Sequence, residues 1–264
     1  MTPPVLLVVG STGSVGRLVV ARADADGFTV RALVRSWPPS RPFSPRVEPV
    51  EGDITDSSTL GEQVRDVDAI AFTHGSDEGP KKTEAVDYRG VRNVLLALNG
   101  RETRIALMTS IGVTNRSSAY NQPTRAHDWK RRSERLVRAS GLPYSIVRPG
   151  WFDRNGPDDH QLVLLQGDRR QTGTPADGAI ARTQVAEVLV KSLSTRSALR
   201  KTFELVSGRG RAQQDVNGLF ASLEPDPPGS VDGIHDVANM PSNEEPESVV
   251  EDLRVVRLQR GRAQ

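Results

Sequence analysis

Residues Val5-Leu-Leu-Val-Val-Gly10-Ser-Thr-Gly13-Ser-Val-Gly16-Arg-Leu-Val-Val20 decide the fold of this chain. Five apolar residues in a row read as a strand buried on both faces. The glycines that follow are spaced G-x-x-G-x-x-G and form a tight turn, and the apolar stretch after them suits a helix. A strand, a glycine turn and a helix N-terminus in that order bring free backbone N–H groups and the positive end of a helix dipole to one place. A pyrophosphate is the group such a place attracts. The three glycines serve the turn, the close approach of phosphate, and the packing of helix on strand. Gly10, Ser11, Thr12, Gly13, Ser14, Val15 and Gly16 are therefore the candidate phosphate cradle. Many strand-to-helix turns carry two glycines and bind nothing, so the reading leans on position, after the first strand of an alternating chain.

Outward from that loop, strand and helix patterns alternate. Strand candidates are 5–9, 29–34, 47–50, 68–73, 104–109, 143–148 and 202–206. Helical periodicity appears near 14–25, 57–65, 83–98, 127–140 and 183–194. This alternation predicts an α/β fold, a doubly wound parallel sheet of Rossmann-like form with helices on both faces and a C-terminal appendage. Ligands of such sheets sit beyond the carboxyl ends of the strands, beside the first one. Trp37–Pro45 is too rich in proline for a helix and reads as a loop. After Ser207 the pattern weakens to a short helix at 215–223, an acidic, turn-rich stretch at 230–247, and apolar residues at helical spacing over 247–256. The expected division is a nucleotide-binding domain over 1–222 and a polar extension over 223–264. That extension is too polar for a second core, and docking on its own domain, joining a partner subunit and staying mobile are all open to it.

Composition narrows the function classes. The 264 residues suffice for one α/β domain with small additions. With no cysteine, disulfides, a thiolate nucleophile and a sulfur-ligated metal are excluded. The four histidines, at 74, 127, 160 and 235, show no metal-ligand spacing, so no metal is expected. The 35 basic and 33 acidic residues are interspersed, which reads as a solvated surface and not as a stripe for nucleic acid. No apolar run approaches the roughly 20 residues of a membrane span. The segment Met-Thr-Pro-Pro and the short strand after it do not read as a signal peptide. A cytoplasmic protein with a small-molecule substrate, without nucleic-acid or membrane partners and with room for a homo-oligomer, is the expectation.

The second strand, Thr29-Val-Arg-Ala-Leu-Val-Arg35-Ser36, bears on the cofactor. An NAD site usually places Asp or Glu about 20 residues after the glycine loop, to bind the ribose hydroxyls. Arg35 holds that place, with no carboxylate evident beside it, and a guanidinium grips a 2′-phosphate in bidentate fashion. NADP(H) is favoured over NAD(H), with Ser36 or Arg17 assisting. The plainer alternative is an ordinary exposed arginine at a strand end.

Several further stretches carry a family resemblance. They are Leu33-Val-Arg35, Glu51-Gly52-Asp53-Ile54-Thr-Asp56, Val86-Asp-Tyr-Arg-Gly90-Val-Arg-Asn93 and Met108-Thr-Ser110-Ile-Gly112. To these add Trp129-Lys130-Arg-Arg-Ser-Glu134 through Ser140-Gly-Leu-Pro-Tyr-Ser-Ile-Val-Arg-Pro-Gly150, Ile180–Val188 and Lys201–Ser207. With the glycine loop they span about 4–208 in the right order, and the chain resembles the atypical short-chain dehydrogenase/reductases of the NAD(P)-binding, NmrA-like kind. The resemblance implies that Asp53 and Ile54 contact adenine. It also implies that Thr73, His74 and Gly75 lie near the cofactor's pyrophosphate or ribose, through backbone contacts more than histidine chemistry. Asp53 also reads simply as a turn carboxylate.

The wider superfamily implies a catalytic Ser, Tyr and Lys, the last two spaced Y-x-x-x-K. Carried over, these positions are Ser110 and Lys130, while the tyrosine position is Ala126. The usual proton donor is missing. Tyr120, His127 and bulk water are the substitutes, water sufficing for a quinone or flavin acceptor. Each residue also has a plainer reading: Tyr120 as a loop aromatic, His127 as a helix-start residue, Lys130 as part of a solvated run Lys130-Arg-Arg132. Trp151 and Phe152, just beyond a strand end, are candidates for roofing the substrate or for plugging the C-terminal part. Two functions stay open. One is an NADPH-dependent reductase of a small carbonyl, quinone or similar acceptor. The other is an NADP(H)-binding sensor or scaffold without turnover.

Overall fold

The computed structural model describes residues 2–36 and 42–262, with side chains described as far as residue 259. Part of the proline-rich loop, 37–41, lies outside the described residues. Strand β1 (Val5–Val9) runs through the middle of the sheet, and its side chains alternate between two cores. Leu6 and Val8 join one apolar cluster, Leu7 and Val9 the other. A strand covered on both faces has no solvent side, which is why its apolar run is unbroken.

The other strands of the main sheet are β2 (Thr29–Val34), β3 (Glu48–Glu51), β4 (Ala69–Phe72), β5 (Arg104–Met108), β6 (Tyr144–Pro149), β8 (Gln161–Leu165) and β10 (Lys201–Gly208). The spatial order is β3-β2-β1-β4-β5-β6-β10-β8, parallel throughout except for the antiparallel edge strand β8. A second, two-stranded sheet joins β7 (Trp151–Phe152) to β9 (Ala179–Ile180). Neither β8 nor this small sheet is anticipated by the sequence reading. Helix α1 (Gly16–Ala25) packs with α6 (Arg182–Ser194) on one face, burying Val19, Ala23, Val185 and Leu189. On the other face lie α2 (Pro80–Thr83), α3 (Gly90–Leu98), α4 (Asn121–Thr124) and α5 (Ala126–Ala139), the core there including Val91, Val94, Leu136 and Val137. A π-helical turn, Glu84–Arg89, joins α2 to α3.

One expected helix is absent. Residues 57–65 form only the single turn Ser57–Thr59, started by the Asp56 carboxylate, which accepts from Ser58 N at 3.0 Å. Gly61 follows, and Asp66 adopts φ 54°, so the apolar spacing of Leu60 and Val64 serves a folded loop.

The solvated-run reading of Lys130-Arg131-Arg132 is also corrected. Arg131, Arg132, Arg135 and Arg138 are all buried on α5. Their partners come from the C-terminal extension: Asp232 for Arg131 and Arg135, Glu245 for Arg132 and Arg135, and Asp226 for Arg138. Beneath them Arg148 of β6 binds Glu134 in bidentate fashion at 3.0 and 2.7 Å, and Asp236 at 2.7 Å. Buried charges persist only when paired, and loss of one partner costs about 3–5 kcal/mol. Helix α7 (Val216–Ala221) precedes the extension, and α8 (Glu247–Arg262) lies within it. Val249, Leu253 and Val256 of α8 share the core of α3 and α5, and Tyr88 OH donates to Asp252 at 3.0 Å. Among the described residues no helix is long and apolar enough to cross a membrane.

Candidate cofactor and active site

The carboxyl ends of the adjacent strands β1, β4, β5 and β6 set out the site in a row: Gly10, then Thr73–Gly75, then Ser110, then Gly150. Each of the three loop glycines meets a different constraint. Gly10 has φ +83°, and a Cβ there would lie 2.7 Å from His74 N. A Cβ on Gly16 would lie 2.0 Å from Gly10 O and 2.8 Å from Thr73 Oγ1, so the helix start touches the turn directly. A Cβ on Gly13 would meet only Gly10 O, at 3.2 Å, and otherwise points into open space. Thr12, Gly13 and Ser14 are exposed at that opening, while Val15 is buried in the core. Ser11 is buried as well, its hydroxyl donating to Leu33 O at 2.6 Å and so tying the loop to β2. Thr73 is committed in the same way, Oγ1 donating to Val9 O at 2.9 Å.

Arg35 and Ser36 are exposed at the end of β2. Arg35 makes no ion pair among the described residues and helps line a cavity of about 570 Å³. The expectation that no carboxylate lies near it is not met, because Glu51, Asp53 and Glu62 line the same cavity. Strand pairing explains this, since Val34 and Glu51 are partners across β2 and β3. Asp53 Oδ1 accepts from both N and Oγ1 of Thr55 at 2.8 Å, so its turn role is real. Ile54 is held from two sides. Its carbonyl accepts from Asn93 Nδ2 at 2.8 Å, and its side chain lies where a Cβ on Gly90 would come within 2.6 Å.

Lys130 is largely buried and ion-paired with Asp87, a residue of the π-helical turn that the sequence reading passed over. Asp87 also accepts from Ser76 N at 2.9 Å. The ammonium group abuts Gly75, where a Cβ would sit 3.1 Å from Nζ. Two buried polar atoms nearby on the strand ends have no hydrogen-bond partner: Ser110 Oγ and His74 Nδ1. Burial pushes the His74 imidazole down to about 4, against the pull of Asp87, so the ring is neutral at pH 7. Buried polar atoms without partners are rare in folded proteins and call for an explanation.

Ala126 is fully buried at the start of α5, one turn before Lys130. Tyr120 is 48 % exposed and packs on the His127 ring at 5.0 Å. Its partial burial raises the phenol pKa, with Lys130 pulling the other way. His127 is buried, its Nδ1 lying 3.4 Å from Ser118 Oγ and 3.5 Å from Asn115 O, and burial lowers its pKa. These contacts suit a helix-start role more than proton transfer. Trp151 is exposed, while Phe152 packs on the core and beneath the Arg182 guanidinium. Arg182 escapes the sequence reading because nothing in its local pattern marks the contact.

Together these residues fit a nicotinamide dinucleotide: a glycine cradle open at Gly13, a cavity beside Arg35, and an unsatisfied buried hydroxyl at Ser110. Residues 10–196 match the model of a family described as NAD(P)H-binding. The chain belongs to that NAD(P)H-binding family. Sanguinarine reductase of Eschscholzia californica is 26 % identical over 264 residues, covering 83 % of this chain and 95 % of that one. An uncharacterised chloroplastic protein of Arabidopsis thaliana is 28 % identical over 250 residues, covering 84 % and 76 %. Among solved structures, the oxidoreductase ylbE of Lactococcus lactis aligns with a TM-score of 0.68 at 16 % identity, covering 83 % of this chain and 98 % of that one. A short-chain dehydrogenase of Burkholderia cenocepacia in complex with NADP aligns with a TM-score of 0.57 at 19 % identity, covering 78 % and 88 %. At these identities the two structures speak for the fold.

Proposed function

We propose that the protein is an NADPH-dependent oxidoreductase of the atypical short-chain dehydrogenase, NmrA-like kind, acting on a small carbonyl, quinone or similar acceptor. The observation that carries the reading is the buried Ser110 hydroxyl without a partner, one strand over from the Gly75 turn against which Lys130 rests. The glycine loop would hold the pyrophosphate, Arg35 and Ser36 the 2′-phosphate, Asp53 and Ile54 the adenine, and Lys130 the nicotinamide ribose. When bound, NADPH supplies hydride. Ser110 Oγ–H donates to the acceptor oxygen and polarises it, a bond that strengthens as negative charge develops there. Asp87 keeps the Lys130 ammonium aimed at one place. Trp151, exposed on β7, offers an aromatic surface for the acceptor, whereas Phe152 faces the core and the Arg182 guanidinium and supports it from behind. The sanguinarine reductase relative supports a reductase, and the NADP-bound structural neighbour supports the cofactor choice. A cytoplasmic location remains part of the proposal, although the Arabidopsis relative is chloroplastic.

One observation favours a second reading, an NADP(H) sensor without turnover. The usual tyrosine position is Ala126, packed with no exposure, so a proton must come from Tyr120 or water. A turnover screen of NADPH against ketones, quinones and flavins with purified protein tests the choice. The reductase reading predicts oxidation of NADPH by at least one acceptor class, slowed by Ser110→Ala. Tight NADPH binding with no turnover across the panel favours the sensor.

A further inference from the structure

A single guanidinium joins three separate segments at the mouth of the glycine loop. Arg182, the first residue of α6, places Nε 3.1 Å from Ser14 Oγ in that loop. Its guanidinium carbon stands 4.7 Å from the centre of the Phe152 ring, and its Nη1 is ion-paired with Asp153. The Asp153 carboxylate also accepts from the backbone N–H of Arg182 at 3.0 Å, which fixes the start of α6 to the turn after β7. Asp153 adopts φ 55°, a left-handed conformation that Asp tolerates better than most residues but seldom adopts without local support.

We propose that Arg182 is a phosphate-binding latch: it donates to the dinucleotide pyrophosphate at the glycine loop and, through Asp153 and Phe152, fixes the segment 151–157, which is β7 with Trp151 and the turn after it. The proposal rests on the dinucleotide reading above. Ser14, which Arg182 touches, is exposed next to Gly13, the open side of the cradle. A guanidinium has five N–H donors in a planar fork, so bonds to Ser14 and Asp153 leave others for a phosphate oxygen. The side chains of Arg182 and Asp153 are 33 % and 51 % exposed, so the guanidinium is open enough to solvent for a pyrophosphate oxygen to join Asp153 as a second anionic partner. The stack on Phe152 holds the guanidinium plane while the phosphate is gained as a further partner. Cofactor occupancy would thereby set the order of the substrate-side loop.

The full chain and its Arg182→Gln and Asp153→Asn variants test this by NADPH titration and by amide hydrogen exchange of 151–157 with and without NADP+. In the unsubstituted chain NADP+ should slow exchange across 151–157. Arg182→Gln should weaken NADPH about tenfold, the scale of one charge-assisted hydrogen bond, and abolish that slowing. Asp153→Asn should bind NADPH as tightly or more tightly, since a competing carboxylate is gone, yet show less slowing. Arg182→Gln with unchanged NADPH affinity, or with slowing equal to the unsubstituted chain, overturns the latch while leaving the dinucleotide reading intact. If the unsubstituted chain binds neither NADPH nor NADP+, the dinucleotide reading falls and the latch with it. Should Arg182→Gln lose its fold by circular dichroism, the Asp153→Asn exchange pattern decides alone.

Discussion

Substituting Gly13 and Gly16 separately distinguishes a phosphate cradle from a mere turn. In Gly13→Val the new Cβ meets only Gly10 O, at 3.2 Å, and Gly13 is not in the left-handed region. The fold should therefore lose less than about 1 kcal/mol, which for a chain this size lowers Tm by roughly 2–4 °C or less. The branched side chain nevertheless projects into the opening where a pyrophosphate would rest. NADPH affinity should fall by about a hundredfold or more, equivalent to ~2.7 kcal/mol. Gly16→Ala differs in kind. Its Cβ would lie 2.0 Å from Gly10 O, more than 1 Å inside an ordinary carbon–oxygen contact, so helix and turn must separate. That strain should cost about 3 kcal/mol, lowering Tm by roughly 6–12 °C. Thermal unfolding followed by circular dichroism, with NADPH fluorescence titration of each variant, reads both effects. A folded Gly13→Val protein that binds NADPH like its parent would refute the cradle.

Other substitutions bear on separate parts of the account. Arg35→Asp should weaken NADPH while hardly changing NADH, as judged by titrating both, because a carboxylate there repels a 2′-phosphate and suits a free ribose. Lys130→Ala should raise the KM for NADPH and lower turnover, and Asp87→Asn should give a milder form of the same change in steady-state kinetics. Ser110→Ala should lower kcat by roughly 10-fold or more, and a large loss in Tyr120→Phe would assign the proton to the phenol, whereas no loss points to water. Burial pushes Glu204 up to about 8, Asp168 and Asp236 acting in the same direction and Arg148 against them. Its folded value exceeds the ordinary 4.5, so the stability it contributes is present below pH 4.5 and is lost as pH rises toward about 8. Urea unfolding across that window should show Glu204→Gln with a flatter pH dependence, and above pH 8 a stability higher than the parent by on the order of 2–4 kcal/mol.

What the sequence showed, and what it hid, follows from the range of each interaction. The run Val5–Val9 and the glycine spacing are local signals, and the structure places them at the centre of the sheet as expected. The periodicity at 57–65 misled because Leu60 and Val64 satisfy the core from a loop, a choice set by tertiary packing. The Lys130–Asp87 pair spans 43 positions, and no local pattern announces it. Arginines of α5 read as a solvated face until the carboxylates that bury them, Asp226, Asp232 and Glu245, are folded back from about 90–110 positions away. Arg35 looked free of carboxylates because its neighbour Glu51 comes from the next strand, through a pairing that only the register reveals.

The central claim is that this chain binds NADP(H) for hydride transfer, with Ser110 facing the acceptor. Single-turnover oxidation of enzyme-bound NADPH, followed by loss of the reduced nicotinamide absorbance on mixing with a quinone, tests it most directly. The account predicts a first-order decay in the parent chain, slowed by roughly 10-fold or more in Ser110→Ala at unchanged NADPH affinity. A decay identical in the two proteins would contradict it.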